Sequence, residues 1–211
     1  MIDALLFDLG GVLVHLHPEA ALDRFSRALP HLGPERVRAR MDEATPLCQA
    51  YERGVMGTYT FLRDFAAHFE TDMAWNQLTV CWQDIFSPNW PVIQLLDQLS
   101  RRYTCHLLSN TNALHMTHLY QRFDFFSHFA TQTLSYEVGL LKPEPAIYRL
   151  AARHAGVDEA RCLFIDDREE NVLGAREAGM RAVRYTDPEA LETALRQYNL
   201  NWELTDARAV L

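Results

Sequence analysis

The sequence predicts an α/β fold in which helices cover both faces of a parallel sheet and an all-helical segment is inserted. Short, nearly continuous apolar runs alternate with helical patterns along most of the chain, which is typical of strands buried on both faces. Residues 16–88 break this alternation, because they contain several helical patterns and no convincing strand. The length of 211 residues suits one large domain or one core with an insertion.

The predicted core elements follow one another in order. The first apolar run, at positions 4–7, ends at Asp8 and is followed by a pair of glycines. Further runs predict strands at 103–108, 161–165 and 181–185, with a weaker one at 128–131. Helical patterns cover 91–101, 113–123, 144–155, 170–178 and 188–198. We therefore predict a core domain formed by residues 1–15 and 89–211.

The segment between these two parts, residues 16–88, is predicted to form a helical cap domain. Its helical patterns lie at 19–29, 34–48, 59–69 and 74–86, separated by proline, glycine and serine residues. Four of its side chains suit either substrate recognition or helix packing, namely Tyr51, Arg53, Trp75 and Trp82. For the two tryptophans we expect packing in the core of the cap.

The composition excludes several classes of partner. Twenty basic and 28 acidic side chains give a formal charge of −8, and such a surface repels nucleic-acid backbones and anionic lipid. The apolar run at 4–14 is too short to span a bilayer and lacks the basic start of a signal peptide. The four cysteines are far apart, which predicts reduced thiols in a cytoplasmic protein.

Polar residues follow three of the predicted strands at the point where each strand ends. They are Asp8, the pair Ser109-Asn110 and the pair Asp166-Asp167. Open parallel sheets bind ligands at the carboxyl ends of their strands, so we expect these side chains to share one site. Taken singly, each residue has a simpler interpretation as a turn or a helix cap, and only their coincidence favours a site.

The residue types at these strand ends suit phosphoryl transfer. Asp8 can act as a nucleophilic carboxylate that forms an acyl-phosphate. Asp166 and Asp167 carry adjacent like charges, which a hard divalent cation such as Mg²⁺ would compensate together with Asp8. The polar run 109–112 lies at a strand end and a helix start, where anions bind. Lys142 is the only lysine in the chain and suits neutralisation of a phosphate, although a solvated surface lysine is the alternative.

Four segments, in this order, resemble the motifs of the haloacid dehalogenase-like hydrolases. They are FDLGGVL at 7–13, LSNTN at 108–112, EVGLLKP at 137–143 and FIDDREEN at 164–171. Within this family the chain resembles bacterial α-D-glucose-1-phosphate phosphatases and the phosphatase domain of soluble epoxide hydrolases, whose caps contain a segment like YERG at 51–54. The resemblance implies a Rossmann-like core with a helical cap, and Mg²⁺-dependent hydrolysis of a small phosphomonoester such as a hexose 1-phosphate.

The resemblance also implies how a metal site would be built. Asp8 is the expected nucleophile and a Mg²⁺ ligand. The backbone carbonyl of Gly10 and the carboxylate of Asp167 would complete the protein's share of the ligands. Asp166 stands beside them, either supporting the ligands or serving as an alternative ligand.

The transferring phosphoryl group is expected to bind elsewhere in the same site. The resemblance assigns it to Ser109, the Asn110 backbone and Lys142. His115 and His118 follow on one face of the next predicted helix. Because neither histidine has a partner at metal-ligand spacing, we expect both to be solvated.

The chain departs from the family pattern at Gly10. Most phosphatases of the family have an aspartate there that acts as general acid and base, a contribution of roughly 10²–10⁴ in rate. His15 and His17 lie near enough in sequence to donate a proton, but polar residues at the mouth of the cap linker are the simpler interpretation. Two alternatives stay open: a 2-haloacid dehalogenase, which would lack the Asp166-Asp167 pair, and a non-catalytic module that binds a phosphate ligand.

Overall fold

Five parallel strands form the central sheet of the computed structural model, which describes residues 1–202. Within this range the strands are β1 (Ala4–Phe7), β2 (Val14–Leu16), β3 (Phe86–Pro88), β4 (Thr104–Ser109), β5 (Phe129–Leu134), β6 (Cys162–Asp166) and β7 (Arg181–Arg184). The sheet has the order β5-β4-β1-β6-β7, and every pair in it is parallel. Strand β1 is therefore central, with β4 and β6 as its neighbours.

The central strand contributes to two apolar cores, one on each face of the sheet. Leu5 and Phe7 belong to one cluster of buried residues, whereas Ala4 and Leu6 belong to the other. This division follows from the strand period of two, which turns successive side chains to opposite faces. The fold is a Rossmann-like α/β fold, and the prediction of a parallel sheet covered on both faces is confirmed.

Helices connect the strands and cover the sheet. In the described part of the chain they are α1 (Pro18–Ala28), α2 (Gly33–Glu43), α3 (Thr45–Glu52), α4 (Thr58–His68), α5 (Trp75–Gln83), α6 (Trp90–Ser100), α7 (Ala113–Arg122), α8 (Ser135–Val138), α9 (Pro145–Ala155), α10 (Glu169–Glu177) and α11 (Pro188–Gln197). Asn112 and Asp187 cap α7 and α11, because each side chain accepts a hydrogen bond from an N–H group three residues further on. The N-terminus of α7 is thereby anchored directly after β4.

Helices α1 to α5 form a helical block, residues 18–83, with an apolar cluster of its own. Phe25 stacks on Phe69 with 5.5 Å between ring centroids, and Tyr51 stacks on Phe61 at 4.3 Å. The Tyr51 hydroxyl also accepts a hydrogen bond from the backbone N–H of Leu114, at 3.2 Å. Because Leu114 lies in α7, this bond ties the block to the sheet domain.

The prediction that residues 16–88 contain no strand is wrong. Strand β3 pairs antiparallel with β2, and Val14 lies opposite Pro88. The helix predicted over 74–86 ends at Gln83, before this strand begins. A three-residue strand has too few positions to display a period, and its partner is some seventy residues away in sequence, so no local pattern reveals it.

The helical block also differs from prediction in two local features. The single helix predicted over 34–48 is two helices, α2 and α3, with Ala44 between them. Pro46 lies at the start of α3, and a proline lacks the N–H group that a continuous helix would require there. Trp82 packs on Phe65 as expected, with 5.3 Å between ring centroids, but Trp75 is 44% exposed. The expectation of a core position is therefore wrong for Trp75.

Two predictions based on composition concern thiols and membranes. The cysteines are free thiols, namely Cys48, Cys81, Cys105 and Cys162. Among residues 1–202, no helix is both long enough and apolar enough to cross a membrane.

The expectation that His115 and His118 are solvated is wrong. His115 is buried and its ring stacks on Trp82, with 5.5 Å between centroids and 12° between planes. Its Nδ1 accepts from the Asn112 amide at 3.1 Å, and its Nε2 donates to the Trp82 carbonyl oxygen at 3.4 Å. These bonds suit the neutral ring, and burial lowers the pKa of His115 to about 4. His118 lies 3.6 Å from Asp84.

The burial of neutral His115 predicts a pH-dependent stability. The unfolded chain protonates this histidine below its ordinary pKa of 6.5, whereas the folded chain keeps it neutral down to about 4. The free energy of unfolding should therefore fall as the pH decreases through this range, and His115 should account for about 2 kcal/mol between pH 7 and pH 5. Urea unfolding at both pH values measures the free energy of unfolding, which should fall more between pH 7 and pH 5 for wild type than for His115→Gln. Changing the exposed His31 to Gln is the control. An equal fall for wild type and His115→Gln would contradict the prediction.

Candidate active site

The carboxyl ends of three neighbouring strands bring the predicted site residues together. Asp8 follows β1, Ser109 is the last residue of β4, and Asp166 is the last residue of β6. Lys142, in the loop after α8, reaches the same place with its ammonium group. Its Nζ lies 2.7 Å from Asp8 Oδ1 and 2.6 Å from Asp166 Oδ2, and its side chain is 1% exposed.

The backbone of Lys142 is held by Asn110. The Asn110 amide donates to the Lys142 carbonyl oxygen at 3.0 Å, and the Lys142 N–H donates to Asn110 Oδ1 at 2.8 Å. The ammonium group also lies 5.3 Å from the centroid of the Phe164 ring, a favourable cation–π position. The Asn110 side chain, to which sequence analysis assigned no function, thus positions Lys142.

Asp166 is completely buried, and both of its carboxylate oxygens are engaged. Oδ1 accepts from the Arg168 N–H at 2.9 Å and from the Asn171 amide at 3.0 Å. Oδ2 accepts from Lys142 and also from the Asn171 amide, again at 3.0 Å. No role was predicted for Asn171. The available signal was its position in the first turn of α10, five residues after Asp166 at the end of a strand.

The site contains more carboxyl groups than positively charged groups, which favours the binding of a cation. Burial raises the pKa of the Asp8 carboxyl to about 7, with Lys142 lowering it and Asp166 raising it further. Burial also raises the pKa of Asp167, and the charge of Asp166 adds to the effect. Burial disfavours the charged form of Lys142, but Asp8 and Asp166 outweigh that effect and raise its pKa. One ammonium group therefore faces three carboxyl groups.

The carboxylates also have the geometry of a metal site. Asp8, Asp166 and Asp167 each offer an oxygen, and these atoms lie within 4.8 Å of one another. Asp167 Oδ1 is buried without a hydrogen-bond partner among residues 1–202. Gly11 makes room for this carboxylate, since its φ is +80° and a Cβ atom there would lie 2.3 Å from Asp167 Oδ2. Closely spaced oxygen donors with an unpartnered buried atom fit Mg²⁺.

An apolar side chain occupies the space beside Gly10. A Cβ atom at Gly10 would lie 2.9 Å from Leu16 Cδ1, so Leu16 lies where a side chain at position 10 would begin. His15 is exposed, and His17 Nε2 lies 2.7 Å from the Ser87 hydroxyl. Within the described residues neither histidine has a hydrogen bond or ion pair with Asp8.

The helical block contacts the site through the segment 51–54. The Ser135 hydroxyl accepts from the Thr111 N–H at 2.9 Å and lies 2.6 Å from the Glu52 carbonyl oxygen. Arg53 forms an ion pair with Glu144, beside the Lys142 loop. The role of Ser135 was not predicted, because a serine that joins two distant segments has no local sequence pattern.

Comparison with known proteins identifies the family. A family model of the haloacid dehalogenase-like hydrolases matches residues 2–179, most of the chain. The chain belongs to the haloacid dehalogenase-like hydrolases. The resemblance carried by the four sequence motifs is thereby confirmed.

Relatives of this haloacid dehalogenase-like hydrolase include phosphatases, and 2-haloacid dehalogenases share its fold. The D-ribitol-5-phosphate phosphatase of Bacteroides thetaiotaomicron is 27% identical over 191 residues, which cover 85% of this chain and 89% of the relative. A family enzyme from the same species, crystallised with magnesium and inorganic phosphate, aligns with a TM-score of 0.79 at 27% identity, over 88% of this chain and 95% of that one. The L-2-haloacid dehalogenase of Xanthobacter autotrophicus, at 22% identity, shares the fold with a TM-score of 0.64 over 93% of this chain and 83% of its own.

Proposed function

We propose that this chain is a Mg²⁺-dependent phosphatase that hydrolyses a small phosphomonoester through an aspartyl-phosphate on Asp8. The observation that carries the proposal is Lys142, whose buried ammonium group bridges Asp8 and Asp166 beside the unpartnered oxygen of Asp167. The paired carboxylates favour this function over that of a 2-haloacid dehalogenase. The phosphatase names of its relatives support the same conclusion.

The bonding of Asp8 leaves one oxygen available for attack. Oδ1 accepts from the Leu9 N–H at 2.7 Å and from Lys142 at 2.7 Å, while Oδ2 has no hydrogen bond among residues 1–202. Oδ2 would form a bond to phosphorus as the bond from phosphorus to the substrate oxygen breaks, and that oxygen would take a proton from solvent water as the alcohol departs. Water would then hydrolyse the acyl-phosphate, releasing phosphate and restoring Asp8.

Other residues at the strand ends would hold the phosphoryl group. Ser109 and the Asn110 backbone lie at the end of β4, where hydroxyl and N–H groups can donate to phosphate oxygens. Lys142 would offset the negative charge that Asp8 and the substrate bring together. Asn110 fixes the Lys142 backbone and Asp166 holds its ammonium group, so this charge is already in place when the substrate binds.

Asp8, Asp167 and the Gly10 carbonyl would hold Mg²⁺. When bound, the cation supplies charge neutralisation for the phosphoryl oxygens and for the carboxylates around it. Asp166 has both oxygens in hydrogen bonds, so we assign it to orienting Lys142 rather than to the metal.

We further propose that residues 16–88 act as a cap over a core formed by residues 1–15 and 89–211, of which 203–211 lie outside the described residues. The separate apolar cluster of the helical block supports this division. A cap that closes over the sheet end suits a small substrate, such as a sugar phosphate or polyol phosphate.

Phosphate release from a panel of phosphomonoesters tests the proposed function. The panel contains p-nitrophenyl phosphate, hexose 1-phosphates, ribitol 5-phosphate and flavin mononucleotide, each with Mg²⁺ and with EDTA. We expect release that EDTA abolishes and excess Mg²⁺ restores, because without the cation Lys142 alone faces three carboxyl groups and the phosphate. Halide release from 2-chloropropionate is measured in parallel. Halide release without phosphate release would support the dehalogenase, and ligand binding without either product would support the non-catalytic module.

A further inference from the structure

A cavity of about 390 Å³ lies among helices α1, α2, α3 and α5 of the helical block, and its lining is completed by Leu16, Ile85 and His115 of α7. This volume falls in the range of small-molecule pockets. Much of its lining is apolar or aromatic, and the lining includes Leu16, Glu52, Trp82 and His115.

Two of the lining residues connect the cavity to the segments that carry the proposed reaction centre. Leu16, which lines it, is the first side chain that a Cβ atom at Gly10 would meet, at 2.9 Å, and Gly10 is two residues from Asp8. Glu52 also lines the cavity. The Ser135 hydroxyl lies at hydrogen-bond distance from the Glu52 carbonyl oxygen and accepts from the N–H of Thr111, which belongs to the polar segment 109–112 at the end of β4. A phosphate ester bound at the strand ends would therefore extend its alcohol portion into this cavity.

The lining offers no free positive charge. Among the described residues that line the cavity, Arg38 is the only arginine or lysine, and it already donates to both oxygens of Glu19, at 2.7 and 3.4 Å. Asp42 adds a further exposed carboxylate. His115 is neutral at neutral pH, as described above. The acids of the lining, Glu52 included, outnumber its cations.

On the basis of the proposed function, we infer that this cavity receives the leaving group and selects neutral, hydroxylated alcohols against those that carry a second phosphate or a carboxylate. Carboxyl groups accept hydrogen bonds from hydroxyls, and the Trp82 ring provides an apolar surface for C–H groups. A second anionic group would lose its hydration without gaining a counter-charge, and it would face the acids of the lining. Selection against anions would thus come from repulsion as well as from fit.

A matched pair of substrates tests this selection in the wild-type protein. Glycerol 3-phosphate and 3-phosphoglycerate share a three-carbon skeleton and differ in a CH₂OH group against a carboxylate. With Mg²⁺ present, we expect kcat/KM to be at least roughly tenfold higher for glycerol 3-phosphate. Equal values, in a protein that cleaves p-nitrophenyl phosphate, would overturn the inference and leave the proposed function intact. Failure to cleave any ester would overturn the proposed function and the inference with it.

A charge placed in the cavity provides the second test. Leu16 is 47% exposed, so Leu16→Lys adds a cation to the lining without burying one. We expect it to shift the kcat/KM ratio roughly fivefold or more toward 3-phosphoglycerate. Val80→Lys is the matched control, since Val80 is 54% exposed in the helical block and does not line this cavity. The same ratio in both variants would overturn the inference, whereas a shift confined to Leu16→Lys supports it.

Discussion

Asp8→Asn is expected to lower the rate of phosphate release by roughly 10⁴-fold or more and to leave the protein folded. The amide oxygen is a poor nucleophile, so the covalent step is lost. The fold should survive because the Asn oxygen can still accept from the Leu9 N–H, and the ion pair between Lys142 and Asp166 remains. Phosphate release is measured with Mg²⁺ at saturating substrate, and the free energy of unfolding is measured by urea titration.

The matched control for this variant lies at the other end of the same strand. Asp3→Asn makes the same chemical change just before β1, where Asp3 pairs with Arg161 far from the strand ends that carry the site. We expect Asp3→Asn to keep its activity. A folded Asp8→Asn protein that releases phosphate at the wild-type rate would show that another group is the nucleophile.

Lys142→Met is expected to reduce both stability and activity. The change leaves Asp8 and Asp166 buried without the ammonium group that lies 2.7 and 2.6 Å from them. Removing one partner of a buried ion pair typically costs about 3–5 kcal/mol, because the remaining charge is uncompensated. Phosphate release should fall by about 10²–10³-fold or more, since a preorganised charge at the reacting group is lost. Urea unfolding and phosphate release measure the two effects.

A double variant separates the charge effect from lost packing. Lys142→Met combined with Asp166→Asn removes one of the two unbalanced carboxylates, so it should be more stable than Lys142→Met alone. Arg149→Met is the control for loss of a basic side chain, because Arg149 is exposed on α9, and it should leave stability nearly unchanged. A Lys142→Met protein as stable as wild type would contradict the buried bridge between the two aspartates.

The strands of the sheet were predictable because their signal is local. Residues 4–7 and 162–166 are apolar at almost every position, and each run ends at an aspartate. Once the strands are parallel neighbours, the polar residues that follow them must meet at one edge, so Asp8, Ser109 and Asp166 could be placed together in advance. The role of Lys142 was predictable in part, because the sequence shows a single lysine within a family motif but not the side chains that the lysine contacts.

The sequence by itself determined the fold class, the family and the residue types at the strand ends. Only the tertiary structure decided that Asn110 and Asn171 position Lys142 and Asp166, and that β2 pairs with β3. It also decided that His115 is buried against Trp82, where the lack of a partner at metal-ligand spacing had suggested a solvated side chain. The physical reason is common to these cases. Periodicity reports which side of an element is apolar, whereas a hydrogen bond or a stacked ring depends on which distant segment packs against it.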